Sequence, residues 1–267
     1  MEQPLPVERH RRIQEILRGR QAARVSTLSD LLGVSEVTIR RDLEDLDRRG
    51  VLERTHGGAI LSQRTRAELA YGEATARHSE QKRWIGEAAA RLVQPGDTIF
   101  MNGGTTTLQV FRNLDLPDIR VVTNHIGIAL EASTRSFEVL LAGGEFRTPS
   151  NSCVGAFATD TVRKVFASRA FIGVEGVSRR AGLTAAAAEE ANIALVMIDQ
   201  TRGPVVVVAD SSKIGTVADF VVSPLDEISQ IVTDPGIDDE YRLELDELGV
   251  EVLVAGGAPA EVGLDRG

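Results

Sequence analysis

The sequence predicts an α/β protein in two parts, a winged helix-turn-helix followed by a larger domain built on a mostly parallel sheet. Three observations predict it. Residues 8–60 hold three helical segments punctuated by glycine and closed by a glycine-rich β-ribbon. From Trp84 onward, short Val/Ile-rich strands alternate with helical segments, as in a sheet covered on both faces. Charge divides the same way: residues 1–66 hold 13 arginines and no lysine against 10 acidic side chains, carrying +3 of a net −9 and leaving −12 on the rest. A positive head on an acidic body suits one domain that meets phosphates and another that does not.

The elements follow in order. ERHRRIQEILR (8–18) sets Ile13, Ile16 and Leu17 at helical spacing and is expected to break around Gly19. Residues 25–32 form a short second helix. Gly33 tolerates the left-handed backbone of a tight turn, and Ser35 caps a third helix that runs through Ile39, Leu43 and Leu46 to Gly50. Residues 51–60 (VLERTHGGAI) read as the wing. The polar stretch 61–82 has little apolar periodicity, which gives boundaries of 6–61 for the head, 62–81 for a linker, helical in part at most, and 82–258 for the body. In the body the strands TIFM, IRVVT, FEVLLA, AFIGV, PVVVVA, SQIVTD and VEVLVA alternate with helices over IGEAAARLV, TTTLQVFRNL, IGIALEAS, ATDTVRKVFA, residues 186–201 and DDEYRLELDELG.

At 267 residues the chain has room for two domains. No apolar run is long enough for a bilayer, and the polar start MEQPLPVERHRR lacks the apolar core of a secretion signal. The single cysteine, Cys153, rules out an intrachain disulfide, agrees with a reducing cytoplasm, and reads as a packed residue.

Angular position on the third helix selects the candidate DNA contacts. With Ile39, Leu43 and Leu46 turned inward, the opposite face carries Val37, Arg41 and Glu44, flanked by Thr38 and Arg40. Thr38 can donate to phosphate, Val37 can touch a thymine methyl, and Arg40 and Arg41 can bind phosphate or fork onto guanine. The alternative is a solvated face on which Arg40 and Arg41 pair with Glu44 and Asp45. On the wing, Arg54 is placed for phosphate or the minor groove, and His56, with no second ligand nearby, is a structural or phosphate-contacting histidine. With the cap Ser35, these are the DNA-binding candidates.

In the body the polar motifs fall at the carboxyl ends of strands, where open α/β sheets bind ligands. TIFM runs into Asn102, Gly103, Gly104, Thr105, Thr106 and Thr107, where glycines admit an anion and helix-start amides and hydroxyls point at it. A P-loop lysine and a dinucleotide spacing are both absent, so neither ATP nor NAD is indicated, and no cofactor or metal is expected. Other strand ends bring Thr123 and Asn124, Gly144 with Arg147, Glu175, and Asp210 with Lys213. Together they describe a site for a polyhydroxylated phosphate ester.

The stretch LLGVSEVTIRRDLEDLDRRGVLERTHGGAI, with V-S-x-x-T-I-R-R-D-L at 34–43 and R-x-H-G-G-A at 54–59, resembles the DNA-binding signature of the DeoR family of regulators. The body resembles that family's effector domain in G-G-T-T-T (103–107), T-N (123–124), L-x-G-G (141–144), F-I-G (171–173), E-E-A (189–191) and D-S-S-K (210–213). The resemblance implies a fold related to ribose-5-phosphate isomerase and glucosamine-6-phosphate deaminase. It implies a cytoplasmic repressor of carbohydrate genes, without catalytic residues, acting as a homo-oligomer (dimer or tetramer) on double-stranded operator DNA and released by a phosphorylated sugar. Asn102, Ala194 and Ser168 stand where the family commonly has Asp, Lys and Asp, and His125 where a small polar residue is usual; these changes are expected to take charge from the site or its rim. Two alternatives stay open: an activator using the same residues, and a sugar-phosphate isomerase or deaminase in which Glu175, Asp210 and Lys213 serve as acid, base and electrostatic groups.

Overall fold

Burial of Ile13, Leu17, Leu28, Ile39, Leu43, Leu46 and Leu52, each at most 1% exposed, draws the head together. The computed structural model describes residues 5–20, 22–55, 57–62 and 71–256, and the chain divides into two units, Met1–Glu73 and Ala74–Gly267. The head comprises α1 (Pro6–Arg20), β1 (Ala22–Arg24), α2 (Val25–Leu32), α3 (Glu36–Arg48), β2 (Leu52–Thr55) and β3 (Gly58–Leu61). Its strands form an antiparallel sheet in the order β1-β3-β2. The first helix, α1, ends at Arg20, next to the break expected around Gly19, and residues 22–24, for which no strand was expected, pair with the wing as β1. That pairing requires Gly58, because a Cβ there would lie 2.3 Å from the Ala23 carbonyl oxygen.

The body's sheet has seven strands in the order β15-β14-β12-β9-β4-β5-β6, every neighbouring pair parallel. These are β4 (Thr98–Met101), β5 (Arg120–Thr123), β6 (Glu138–Leu141), β9 (Arg169–Ile172), β12 (Val205–Val208), β14 (Gln230–Thr233) and β15 (Glu251–Val254). The valines of β12 alternate between two cores, Val206 and Val208 in one, Val205 and Val207 in the other. The first core belongs to α4 (Ser79–Ala90), α5 (Thr105–Arg112) and α6 (Ile126–Glu131); the second to α7 (Ala156–Val162), α8 (Ala188–Asp199) and α9 (Asp239–Glu247). Burial on both faces is why these strands read as unbroken apolar runs.

Several expectations change. Within the expected linker, residues 71–76 are helical, and α4 begins at Ser79, three residues before the boundary expected at 82. The helix expected over 158–167 starts and ends earlier, at Ala156 and Val162. Two small antiparallel sheets were not expected: β7 (Glu145–Arg147) with β8 (Ser152–Val154), and β10 (Gly176–Ser178), β11 (Gly182–Ala185) and β13 (Phe220–Ser223) in the order β10-β11-β13. Three- and four-residue strands are too short to show an alternation of their own.

The parallel sheet gathers the carboxyl ends of its seven strands on one edge, and α5 starts at that edge. The body's first helix, α4, lies against α5, β12 and β14. Its Trp84 meets Gly256 just past β15, which puts the start of α4 at the same edge.

Candidate DNA-binding face and effector site

Ser35 caps α3 as the sequence predicts: its Oγ accepts from the Thr38 amide at 3.2 Å and lies 2.9 Å from Thr38 Oγ1. Val37 is 57% exposed, an apolar side chain held out from the capped helix start. The three candidate arginines differ. Arg40 donates to Glu36 at 2.7 Å, and Arg54 reaches from the wing to Glu44 at 3.0 Å. Arg41 is exposed and has no hydrogen-bonding or ionic partner among the described residues. The pairing of Arg40 and Arg41 with Glu44 and Asp45 is thus not the arrangement found, since Asp45 engages Arg48 and Arg49 instead. His56 lies outside the described residues.

Behind this face lies a feature the apolar pattern concealed. Asp42, 5% exposed, accepts from Arg9 Nε at 2.6 Å and Arg9 Nη2 at 2.8 Å, with His10 Nε2 at 3.1 Å. Arg9 is 8% exposed, and its bond to Asp42 raises its pKa. A forked charge-assisted pair of this kind fixes the orientation of α3 on α1. The signal available in the sequence was an acidic residue beside Leu43 on the inward stripe.

In the body, Asn102 faces β9: its Nδ2 donates to Gly173 O at 2.8 Å and its Oδ1 accepts from Gly173 N at 2.8 Å. An amide can do both, and a carboxylate cannot. Thr107 is fully buried, its hydroxyl shared between the carbonyls of Asn102 and Gly104 at 2.9 and 2.8 Å. The Thr105 and Thr106 hydroxyls have no partner among the described residues, so the donors left open at the start of α5 are these two and the helix-start amides. Gly103 sits against Ser152, where a Cβ would come within 2.7 Å of that side chain.

The remaining candidates are placed as follows. Thr123 donates to Met101 O at 2.7 Å and accepts from the His125 amide at 3.0 Å, a strand-to-strand tie. Asn124 Nδ2 donates to Cys153 O at 2.8 Å, while its buried Oδ1 has no hydrogen-bond partner among the described residues. Gly144 packs on β8, where a Cβ would lie 2.4 Å from Val154 O. Arg147 donates to Glu190 at 2.8 Å. Lys213 contacts the Glu175 carboxylate, and Asp210, 2% exposed, caps the short turn Ser211–Lys213 through the Ser212 amide. Cys153 is buried, as read.

Three of the departures from the family pattern prove to lie away from any rim. Ser168 precedes β9 at the opposite edge of the sheet, bonded to Asp97 at 2.7 Å and to Thr98 O at 3.1 Å. Ala194 is 2% exposed within the core under α8. His125 is fully buried, and its Nδ1 caps α6 by accepting from Ile128 N at 3.2 Å; burial pushes its pKa down to about 4, so the ring is neutral.

Two groups escaped the sequence reading. Asp234 at the end of β14 accepts from Ser211 N at 2.7 Å, Ser211 Oγ at 3.0 Å and Gly236 N at 3.0 Å, and so holds the 210–213 turn in place. Lys82, 6% exposed in the first turn of α4, donates to Ala74 O at 2.5 Å. Desolvation lowers its pKa most, opposed by the charges of Asp210 and Glu175. Its position at the linker boundary disguised it.

A winged helix-turn-helix with an arginine-bearing helix face, joined to an α/β body whose polar groups collect at the strand ends, defines a DNA-binding regulator with a sensor domain. The comparisons agree. Residues 9–65 match the profile described as DeoR-like helix-turn-helix domain, and residues 77–235 that described as DeoR C terminal sensor domain. The chain is 35% identical to the HTH-type transcriptional regulator GlpR of Haloferax volcanii, across 93% of this chain and 98% of that protein. It is 32% identical to the transcriptional repressor GlcR of Bacillus subtilis (88% and 92%) and 31% identical to the lactose phosphotransferase system repressor of Streptococcus mutans (88% and 94%). A ribose 5-phosphate isomerase from Methanocaldococcus jannaschii aligns over 51% of this chain and 55% of its own at 15% identity and a TM-score of 0.39. The chain belongs to the DeoR family of helix-turn-helix transcriptional regulators. Among the described residues no helix is long and apolar enough to cross a membrane.

Proposed function

We propose that this regulator represses carbohydrate-metabolism genes in the cytoplasm, holding double-stranded operator DNA with α3 and the wing until a phosphorylated sugar or related small anion fills the strand-end site. On this reading 6–61 is the DNA-binding domain, 62–81 the linker and 82–258 the sensor, and the working form is a homo-oligomer, a dimer or tetramer. The observation that carries it is an exposed, capped α3 with Arg41 unengaged, on the same chain as open hydroxyl and amide donors at the start of α5. The names of relatives support the class of genes, among them a putative aga operon repressor 31% identical over 93% of this chain. For release, the effector must bind the DNA-incompetent form better, since only differential affinity shifts the equilibrium.

The test is fluorescence anisotropy on DNA from upstream of the protein's own gene and adjacent carbohydrate genes, titrated with a panel of sugar phosphates. One probe is expected to release the DNA at concentrations where chloride of equal ionic strength does not. Activation of a reporter on binding would favour the activator. Turnover of ribose 5-phosphate or glucosamine 6-phosphate would favour the enzyme, in which Glu175, Asp210 and Lys213 act on substrate. Absence of any specific DNA binding would overturn the reading.

A further inference from the structure

Lysine is rare in this chain. Of 30 basic residues only Lys82, Lys164 and Lys213 are lysines. Lys164 is exposed on the surface, whereas Lys213 stands at the end of β12 in the strand-end site. Lys82 is the unusual one, an ammonium 6% exposed that has three N–H groups to satisfy. One goes to Ala74 O, and among the described residues no second acceptor takes the others. Burying a cation with donors to spare is costly, and such groups are normally paired.

Its place in the fold gives the reason. Both α4 and α5 start at the carboxyl edge of the sheet and run side by side toward the other edge, with Gly86 resting against Gln109 so closely that a Cβ would come within 2.6 Å of it. One turn back on each helix stand Lys82 and Thr105. Lys82 is therefore level with the opening of the 103–107 cradle. The charges of Asp210, Lys213 and Glu175, all candidate site residues, act on it, as does that of Arg77. We propose that Lys82 is an effector-binding residue, its ammonium taking the phosphate of the ligand together with the open donors of Thr105 and Thr106. This inference rests on the effector reading above and adds to it a residue outside every strand end. A lysine meets a phosphate as a compact point charge with three donors, and Lys82 has donors to spare. The charge of an arriving dianion favours the ammonium and so opposes the desolvation that lowers the Lys82 pKa.

The full-length protein is titrated with inorganic phosphate and, separately, with ribose 5-phosphate, against chloride of equal ionic strength, and thermal unfolding of the body is followed. Wild type is expected to be stabilised by at least one of the two; a response to the ester alone shows that the sugar is needed as well as the phosphate. Lys82→Met and Lys82→Gln are expected to weaken the apparent affinity about tenfold or more, the loss of one charge-assisted bond. Without ligand, Lys82→Met should melt no lower than wild type, since it removes a buried charge. Lys82→Gln keeps a donor for Ala74 O, so it separates the charge from that structural bond. An undiminished ligand response in both variants, or a Lys82→Met that melts several degrees lower while Lys82→Gln responds normally, overturns the inference. If Thr106→Ala and Lys213→Ala still lose their response in that case, the strand-end site survives without Lys82. A wild type stabilised by neither probe overturns both.

Discussion

Replacing Arg41 with alanine separates the DNA-binding role of α3 from its structural one. The guanidinium is exposed and touches no partner among the described residues, so its removal should leave stability within about 0.5 kcal/mol of wild type. Its cost should appear on DNA. A guanine fork is worth about 1–3 kcal/mol, roughly 5- to 150-fold in affinity. If Arg41 instead holds a phosphate, the loss is uniform across sequences, and the slope of log K against log salt shrinks by about 0.9. Measuring anisotropy on operator and scrambled DNA at several salt concentrations distinguishes the two. Arg54 supplies an internal comparison. It must first leave Glu44, an exposed pair worth about 0–1 kcal/mol, so Arg54→Ala should cost less than Arg41→Ala and Glu44→Gln should tighten binding. Operator affinity and salt slope both unchanged in Arg41→Ala would refute the assignment of α3 as the DNA-reading helix.

Two further outcomes follow from buried charge. Asp42→Ala strips two short bonds from a buried guanidinium and should destabilise the head by about 3–5 kcal/mol, much of what a domain of this size has to spare. Urea denaturation should show an early head transition and operator binding should be lost, while Arg9→Met with Asp42→Leu recovers most of the stability. A single variant as stable as wild type contradicts the argument. His125 has a folded pKa of about 4 against the usual 6.5, so the unfolded chain takes up the proton more readily between those values. Its contribution to stability is complete above pH 6.5 and is lost as pH falls toward 4, by at most about 3 kcal/mol. Urea midpoints of the body at pH 7.5 and pH 5 should diverge less in His125→Asn, whose amide can still cap α6; an equal divergence would show that another group senses the acid.

The sequence was most legible where one physical constraint decides the pattern. The inward stripe of Ile39, Leu43 and Leu46 and the cap at Ser35 located α3 to within a residue, because a three-helix core of this size leaves no other use for those side chains. The seven parallel strands were legible because strands buried on both faces must be apolar throughout. Long-range polar bonds were not. Asn102, Thr107 and Thr123 read as ligand donors from their loops, yet each gives hydrogen-bonding capacity to main chain brought alongside by the sheet. Lys82 and Asp42 were passed over for the opposite reason: a charged residue on a helix reads as solvated until the fold buries it.

The order of the sheet also sets an order in time. Asn102 meets Gly173 across 71 residues of chain, at the junction of β4 and β9 in the middle of the sheet, so the floor of the sensor cannot exist until the chain is two-thirds made. The head has no such wait. Its core is complete by Leu61, and the Arg9–Asp42 tie spans only 33 residues. Domains emerging from the ribosome fold as units, N-terminal first, and local contacts form fastest. A nascent chain thus holds a finished DNA-binding head before it has a sensor with which to release it.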